Sequence, residues 1–139
     1  MMIETIEPIK EGFEIKDSPI EGKGLFATRD FQTGEVVAVW DTSHVVSPPE
    51  IEKLPADERR YVTRYGNTFI VLQPPSRYMN HSCDANTRSE AGKDVAIRDI
   101  KKGEEITADY RSEMVPGDAM SCNCGSAKCV GVVQLAKYE

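Results

Sequence analysis

Three cysteines crowd one short stretch near the end of the chain, Cys122, Cys124 and Cys129, and the fourth, Cys83, stands 39 positions before the first of them. Two thiolates one residue apart, with a third five positions on, can wrap a single tetrahedral ion, for which zinc takes four ligands with sulfur at about 2.3 Å. Three ligands leave such a site one short. Cys83 either completes the set, which folds the tail back onto the middle of the chain, or is an ordinary buried thiol. Four cysteines could also form two disulfides, but nothing marks the sequence as secreted, and the uneven spacing favours metal.

A length of 139 residues and 40% hydrophobic content suit one domain with a modest core. The formal charge of −6 argues against direct nucleic-acid binding, which needs clustered Lys and Arg to neutralise phosphates, and favours a basic protein or peptide partner. No apolar run approaches the roughly 18 to 20 residues that cross a bilayer, and Met1-Met2-Ile3-Glu4 lacks the pattern of a secretory signal. No membrane partner is expected, and the protein is expected to be intracellular: cytoplasmic, or nuclear in a eukaryote.

Gly and Pro punctuate short apolar runs with no repeat or long linker. Runs rich in β-branched or aromatic residues predict strands over Gly12 to Ile15, Gly24 to Thr28, Glu35 to Trp40, Thr68 to Leu72, Asp94 to Ile97 and Glu105 to Ala108. Ser47 followed by Pro48 and Pro49 reads as a helix start, and a second short helix is predicted through Asp57 to Tyr65. The fold class is therefore mainly β with a small helical insert.

Three further segments carry chemistry. Arg77-Tyr78-Met79-Asn80-His81-Ser82-Cys83-Asp84-Ala85-Asn86 concentrates small polar donors and acceptors. A solvated turn would account for it, and a His81-activated Ser82 nucleophile would not, because sequence neighbours face each other poorly and no Gly-x-Ser-x-Gly elbow surrounds Ser82. Gly103-Glu104-Glu105-Ile106-Thr107-Ala108-Asp109-Tyr110 reads as a turn entering a strand. Glu21-Gly22-Lys23-Gly24-Leu25-Phe26 holds glycines that allow close backbone approach, without a phosphate-binding pattern.

Taken in order, these segments and the cysteine tail resemble the SET-domain protein-lysine methyltransferases over roughly residues 12 to 133. Gly22 to Phe26 is similar to the family's N-terminal cofactor turn, Arg77 to Asn86 to its Arg-Phe-x-Asn-His-Ser-Cys-x-Pro-Asn motif, Gly103 to Tyr110 to its Gly-Glu-Glu-Leu-x-x-Asp-Tyr motif, and Cys122 to Gly131 to its post-SET segment. The resemblance implies small curled β-sheets of β-clip type with a C-terminal pseudoknot, in which Arg77 to Ser82 encloses the strand ending at Tyr110. It divides the chain into an N-terminal segment (1–11), a SET domain (12–113) and a post-SET zinc-binding tail (114–139).

It further implies S-adenosylmethionine as methyl donor, contacted by Lys23, Gly24, Leu25, Arg77, Asn80, His81 and Tyr110, with Tyr110 also catalytic. Trp40 and Tyr78 are assigned to the substrate channel, and one structural zinc ion to Cys83, Cys122, Cys124 and Cys129. Departures from the family pattern are Tyr78 for Phe, Ala85 for Pro, Val130 for Arg, and Val39-Trp40-Asp41-Thr42 where many members carry Glu-Tyr-x-Gly. No cysteine-rich segment precedes residue 12, which makes the resemblance one to a minimal form. Two competing readings stand beside it: a catalytically silent SET module that binds peptide, and a plain zinc-ribbon interaction domain.

Overall fold

The computed structural model describes residues 12–112, 114–115 and 119–134; the expected N-terminal segment and residues 135–139 lie outside the described residues. Apolar runs this short, each closed by Gly, Pro or charge, can make only short strands. Those of the first half are β1 (Phe13–Asp17), β2 (Lys23–Ala27), β3 (Val36–Val39), β4 (Val45–Val46), β5 (Val62–Tyr65) and β6 (Thr68–Val71). The second half adds β7 (Asn80–His81), β8 (Thr87–Glu90), β9 (Lys93–Ala96), β10 (Glu105–Ala108), β11 (Ala119–Ser121) and β12 (Val132–Gln134). They assemble into sheets ordered β1-β2-β10-β7, β3-β9-β8, β4-β6-β5 and β11-β12. The mainly β expectation with a small helical insert is met.

Each strand predicted from composition is present. The predicted helix through Asp57 to Tyr65 is corrected. Helix α1 (Pro48–Glu52) starts as read, with Glu50 donating its backbone N–H to the Ser47 hydroxyl and its carboxylate accepting the Ser47 N–H. Helix α2 (Ala56–Arg59) then stops, and Val62–Tyr65 is β5, paired with β6 across the two-residue turn Gly66-Asn67. Branched Val62 and Thr63 and the aromatic Tyr65 prefer a pleated, half-buried surface, and Gly66 takes φ +59 at no steric cost. The side chains of Val46, Ile51, Val62 and Val71 close a small core under this insert.

The main core joins Leu25, Phe31, Val37, Met79, Ile100 and Ile106, with Phe13, Tyr78 and Tyr110 packed on its rim. At its centre β10 is held on both edges. On one side it pairs antiparallel with β2, and on the other β7 runs parallel to it, Thr107 opposite Asn80 and Ala108 opposite His81. The chain then curls round the strand: Ser82 donates its N–H to the Ala108 carbonyl, Asn86 bonds the Glu105 carbonyl and the Thr107 N–H, and the Thr87 hydroxyl donates to the Thr107 carbonyl. This clasp encloses the strand ahead of Tyr110.

Beside it the Glu105 carboxylate reaches sideways to accept the Ser18 hydroxyl at 2.8 Å and the Asn80 side-chain amide at 2.9 Å. It lies directly over Gly24, where an added Cβ would stand 2.3 Å from its oxygen. Gly24→Ala is expected to displace Glu105 from both partners and cost about 1–3 kcal/mol, the range for leaving buried polar groups unpaired. Denaturant unfolding measures it. Ser76→Ala is the contrasting control: the Ser76 hydroxyl is buried with no hydrogen-bond partner among the described residues, so its removal should leave stability equal or higher.

Candidate functional site

A cavity of about 730 Å³ opens between the turn before β2, the helical insert, the segment leading into β7, and the tail. Its wall includes Lys23, Trp40, Arg77, Tyr78, Asn80 and Tyr110 from the residues singled out in the sequence, together with Ala119, Met120, Ser121 and Asn123 of the tail. This volume lies within the range of pockets that bury a small organic ligand, about 300–1,000 Å³. The wall combines the rings of Trp40, Tyr61, Tyr78 and Tyr110 with charged and polar side chains such as Lys23, Arg60, Arg77 and Asn80.

Tyr110 follows β10 and is held from two directions. Its phenol donates to the Met79 carbonyl, and its backbone N–H donates to Nδ1 of His81 at 3.0 Å. Burial pushes the phenol well above the ordinary tyrosine range, since the phenolate would lose its hydration. Tyr110 is therefore a neutral hydroxyl at any physiological pH, and a hydrogen-bond donor. Trp40 donates its indole N–H to Asp94 at 2.8 Å, which fixes the ring in the wall.

Arg77 and Asn80 are strongly committed within the protein. Arg77 donates to the Leu72 carbonyl at 2.9 Å, pairs with Glu58 at 3.2 Å, and lies 4.3 Å from the centre of the Tyr61 ring. Asn80 donates its amide to the carbonyls of Glu21 and Lys23 as well as to Glu105. It thus moulds the turn that carries Lys23, whose ammonium pairs with Asp17. Opposite, Arg60 of the insert bonds Glu21 at 2.9 Å and spans the rim.

Three residues expected at the cofactor, Gly24, Leu25 and His81, do not line this cavity. Leu25 is fully buried in the core, and Gly24 faces Glu105 and Ser18; neither lines the cavity. His81 lies behind the wall, 3% exposed, beside a much smaller recess bounded by Met120 and Cys122. Burial lowers its pKa, outweighing Asp109, so the ring is neutral. Both ring nitrogens are engaged: Nδ1 accepts from Tyr110, and Nε2 lies 3.3 Å from Sγ of Cys83.

Cys83 meets the tail at this point. The Sγ atoms of Cys83, Cys122, Cys124 and Cys129 all lie within 4.8 Å of one another, with Cys83 and Cys122 at 3.7 Å. Sulfurs at the corners of a tetrahedron with 2.3 Å bonds to its centre would be about 3.8 Å apart, so the four thiols fit one zinc-sized ion. The Val130 N–H donates to Cys83 at 3.3 Å and fastens the tail to the clasp. Burial pushes the Cys122 thiol up to about 12, whereas on Cys124 burial is outweighed by hydrogen bonds from the backbone at Cys83 and Ser126 and from the neighbouring thiols, which bring it down to about 6.

Sequence reasoning missed Glu21, Arg60, Tyr61 and Met120 in the wall. Arg60 and Tyr61 fell inside the stretch read as helix, and Met120 in a stretch with no local signature; Glu21 opened a quoted segment, but only pairing across the fold gives it a partner.

Comparison with known proteins decides the family. The SET domain family model matches residues 22–111, from the cavity turn through the clasp to the end of the Asp109-Tyr110 segment. The chain belongs to the SET-domain family. Similar relatives include a Yarrowia lipolytica histone-lysine N-methyltransferase, H3 lysine-36 specific, 31% identical over 80% of this chain and 17% of that protein. Human histone-lysine N-methyltransferase 2B is 30% identical over 86% of this chain and 5% of that protein. The chain thus spans under a fifth of the length of either. Among solved structures, a Plasmodium falciparum chain classed as a histone methyltransferase superposes with a TM-score of 0.61 at 20% identity, covering 73% of this chain and 95% of that one. That likeness concerns the fold.

The raised Tyr110 pKa has a spectroscopic consequence. Phenolate absorbance at 295 nm should titrate identically in wild type and Tyr110→Phe up to about pH 11, because Tyr110 stays protonated while exposed tyrosines ionise near 10. A phenolate lost from the variant's curve below pH 11 would show Tyr110 to be a normally hydrated phenol.

Proposed function

We propose that this SET domain is an S-adenosylmethionine-dependent protein-lysine N-methyltransferase, carrying one structural zinc ion on Cys83, Cys122, Cys124 and Cys129. The observation that carries the reading is that Tyr110, Trp40 and Tyr78 share one cavity with the Lys23 turn and the residues just ahead of the cysteine tail. Bound S-adenosylmethionine would supply an electrophilic methyl on a positively charged sulfur. Donor and amine must lie in line at about 3 to 3.5 Å with water excluded, and the chain's own work is that positioning.

Lys23, Arg77 and Asn80 are read as the donor side, with Asn80 and Arg77 shaping the wall through bonds already made, and Gly24, Leu25 and His81 as structural support behind it. Trp40 and Tyr78 are read as the channel for the lysine, and Tyr110 as the group at the junction. The amine must arrive neutral, yet a lysine of pKa about 10.4 is only about 0.1% neutral near pH 7.4. Neither Tyr110, which is already protonated, nor His81, which has both nitrogens engaged, is read as the base. The proton is therefore read as leaving to solvent before the amine enters, aided by desolvation in the channel and by the positive charge that bound S-adenosylmethionine would bring. With its own proton on the Met79 carbonyl, the Tyr110 oxygen would accept an N–H of the amine and so aim the lone pair at the methyl. The formal charge of −6 favours a lysine set among other basic residues, as in a histone tail.

Tyr110→Phe removes one hydroxyl from the junction and is expected to lower kcat at least tenfold, about 1.4 kcal/mol, while S-adenosylhomocysteine affinity stays within about threefold. Labelled methyl transfer to a lysine-rich peptide, with mass spectrometry of the modified residue, measures it; a variant as fast as wild type would reject the assignment of Tyr110.

The tail supplies a second test. Ala119 to Ser121 form a strand of a sheet that pairs with no other described sheet, yet they line the cavity beside the cysteine set. Cys124→Ser, or a strong chelator, is expected to abolish methyl transfer and weaken S-adenosylhomocysteine binding while far-ultraviolet circular dichroism stays β-like. Calorimetric titration into metal-loaded and metal-free protein gives the comparison, and equal affinities would separate the tail from the cavity.

A further inference from the structure

We propose that His81 is a positioning residue that couples the cysteine quartet to Tyr110 through the two nitrogens of one imidazole ring. The inference rests on the reading just given, that the quartet holds zinc and that Tyr110 stands where methyl transfer occurs. It adds a direct link between the two that does not pass through the tail's wall residues.

The geometry supplies the link. An amide N–H can only donate, so the 3.0 Å contact from the Tyr110 backbone makes Nδ1 the bare nitrogen and puts the ring proton on Nε2. Nε2 faces Sγ of Cys83 at 3.3 Å, and a metal-held thiolate can only accept. One tautomer satisfies both contacts. At 3% exposure the ring has almost no access to competing water. The Asp109 carboxylate lies 3.8 Å from Nδ1 but is claimed by the Arg111 guanidinium at 2.9 and 3.1 Å, which leaves Nδ1 to the amide. The ring also meets Tyr110 edge-on, with centroids 5.4 Å apart.

These contacts form a continuous path from Cys83 through the imidazole to the backbone of Tyr110. Outer partners of metal ligands hold both the ligand and whatever lies beyond it, and their loss typically costs 10- to 100-fold in metal affinity or activity. Here the outer partner of Cys83 is also the hydrogen-bond acceptor that sets the turn carrying the phenol. His81 acts on the reaction through Tyr110 and on the metal through Cys83.

The test uses the full chain loaded with zinc. His81→Phe keeps a ring but removes both nitrogens; His81→Gln keeps a donor and an acceptor in a different shape. Zinc release to excess 4-(2-pyridylazo)resorcinol is expected to be at least tenfold faster in His81→Phe, and kcat for a lysine peptide at saturating S-adenosylmethionine at least tenfold lower with peptide KM within about threefold. His81→Gln should fall between wild type and His81→Phe on both, and Tyr110→Phe should release zinc at the wild-type rate. A merely structural histidine predicts a change in stability without the paired change in zinc release and kcat. Wild-type release or wild-type kcat in folded His81→Phe overturns the proposal.

A measurement on wild type stands if neither variant folds. Nitrogen-15 spectra of the zinc-loaded protein should show His81 with its proton on Nε2 and slow to exchange, and the Tyr110 amide resonance should move when zinc is removed. A proton on Nδ1, or an unmoved amide, overturns the coupling. Should wild type hold zinc but methylate no peptide, the functional reading fails, while zinc release and the nitrogen spectra still decide whether His81 joins the quartet to Tyr110.

Discussion

The parallel pairing of β7 with β10 is the interaction on which the rest of this structure depends. Parallel neighbours cannot be joined by a tight turn, so the chain must travel from His81 through β8, β9 and the Gly103 turn before it returns as β10. The reward is that residues 80–83 and 107–110, far apart in sequence, stand side by side. Asn80 opposite Thr107 turns its amide to the cavity turn, His81 opposite Ala108 reaches Tyr110, and Cys83 emerges at the clasp's end to meet the tail.

Polar bonds, more than apolar area, make this arrangement specific. Leu25, Phe31, Ile100 and Ile106 would bury well in many registers, whereas Asn86 to the backbone of β10 and Glu105 to Ser18 and Asn80 have partners in one. Each such group is buried or half-buried, and mispairing it would leave a donor or acceptor without compensation. Gly24 belongs to the same logic: its missing Cβ is space occupied by the Glu105 carboxylate.

The helical insert and the tail are attached to this centre by different means. The insert has its own apolar cluster and reaches the site by charge, with Arg60 on Glu21 and Glu58 on Arg77. Such half-exposed pairs contribute little stability singly, but they aim the Tyr61 ring between two guanidiniums, at 5.2 and 4.3 Å. The tail pairs only with itself among the described sheets and is fastened by sulfur, at Cys83 with Cys122 and with the Val130 N–H.

The sequence by itself determined the class of fold, because runs of four or five apolar residues between glycines and prolines admit only short strands. It also marked the residues of the candidate site: the cysteine spacing, and the Asn80-His81 and Asp109-Tyr110 segments, are patterns local enough to be read along the chain. Pairing across the fold was not legible. Val62–Tyr65 read as helix because the capping signals at Ser47 lie upstream, while the partner that makes it a strand, β6, lies across a turn. Nor could the sequence say that Asn80 and His81 are largely engaged by the protein itself, or that Gly24 makes room for a side chain 81 positions away. Only tertiary structure decided these, because a hydrogen-bonding group declares its type in sequence and its partner in space.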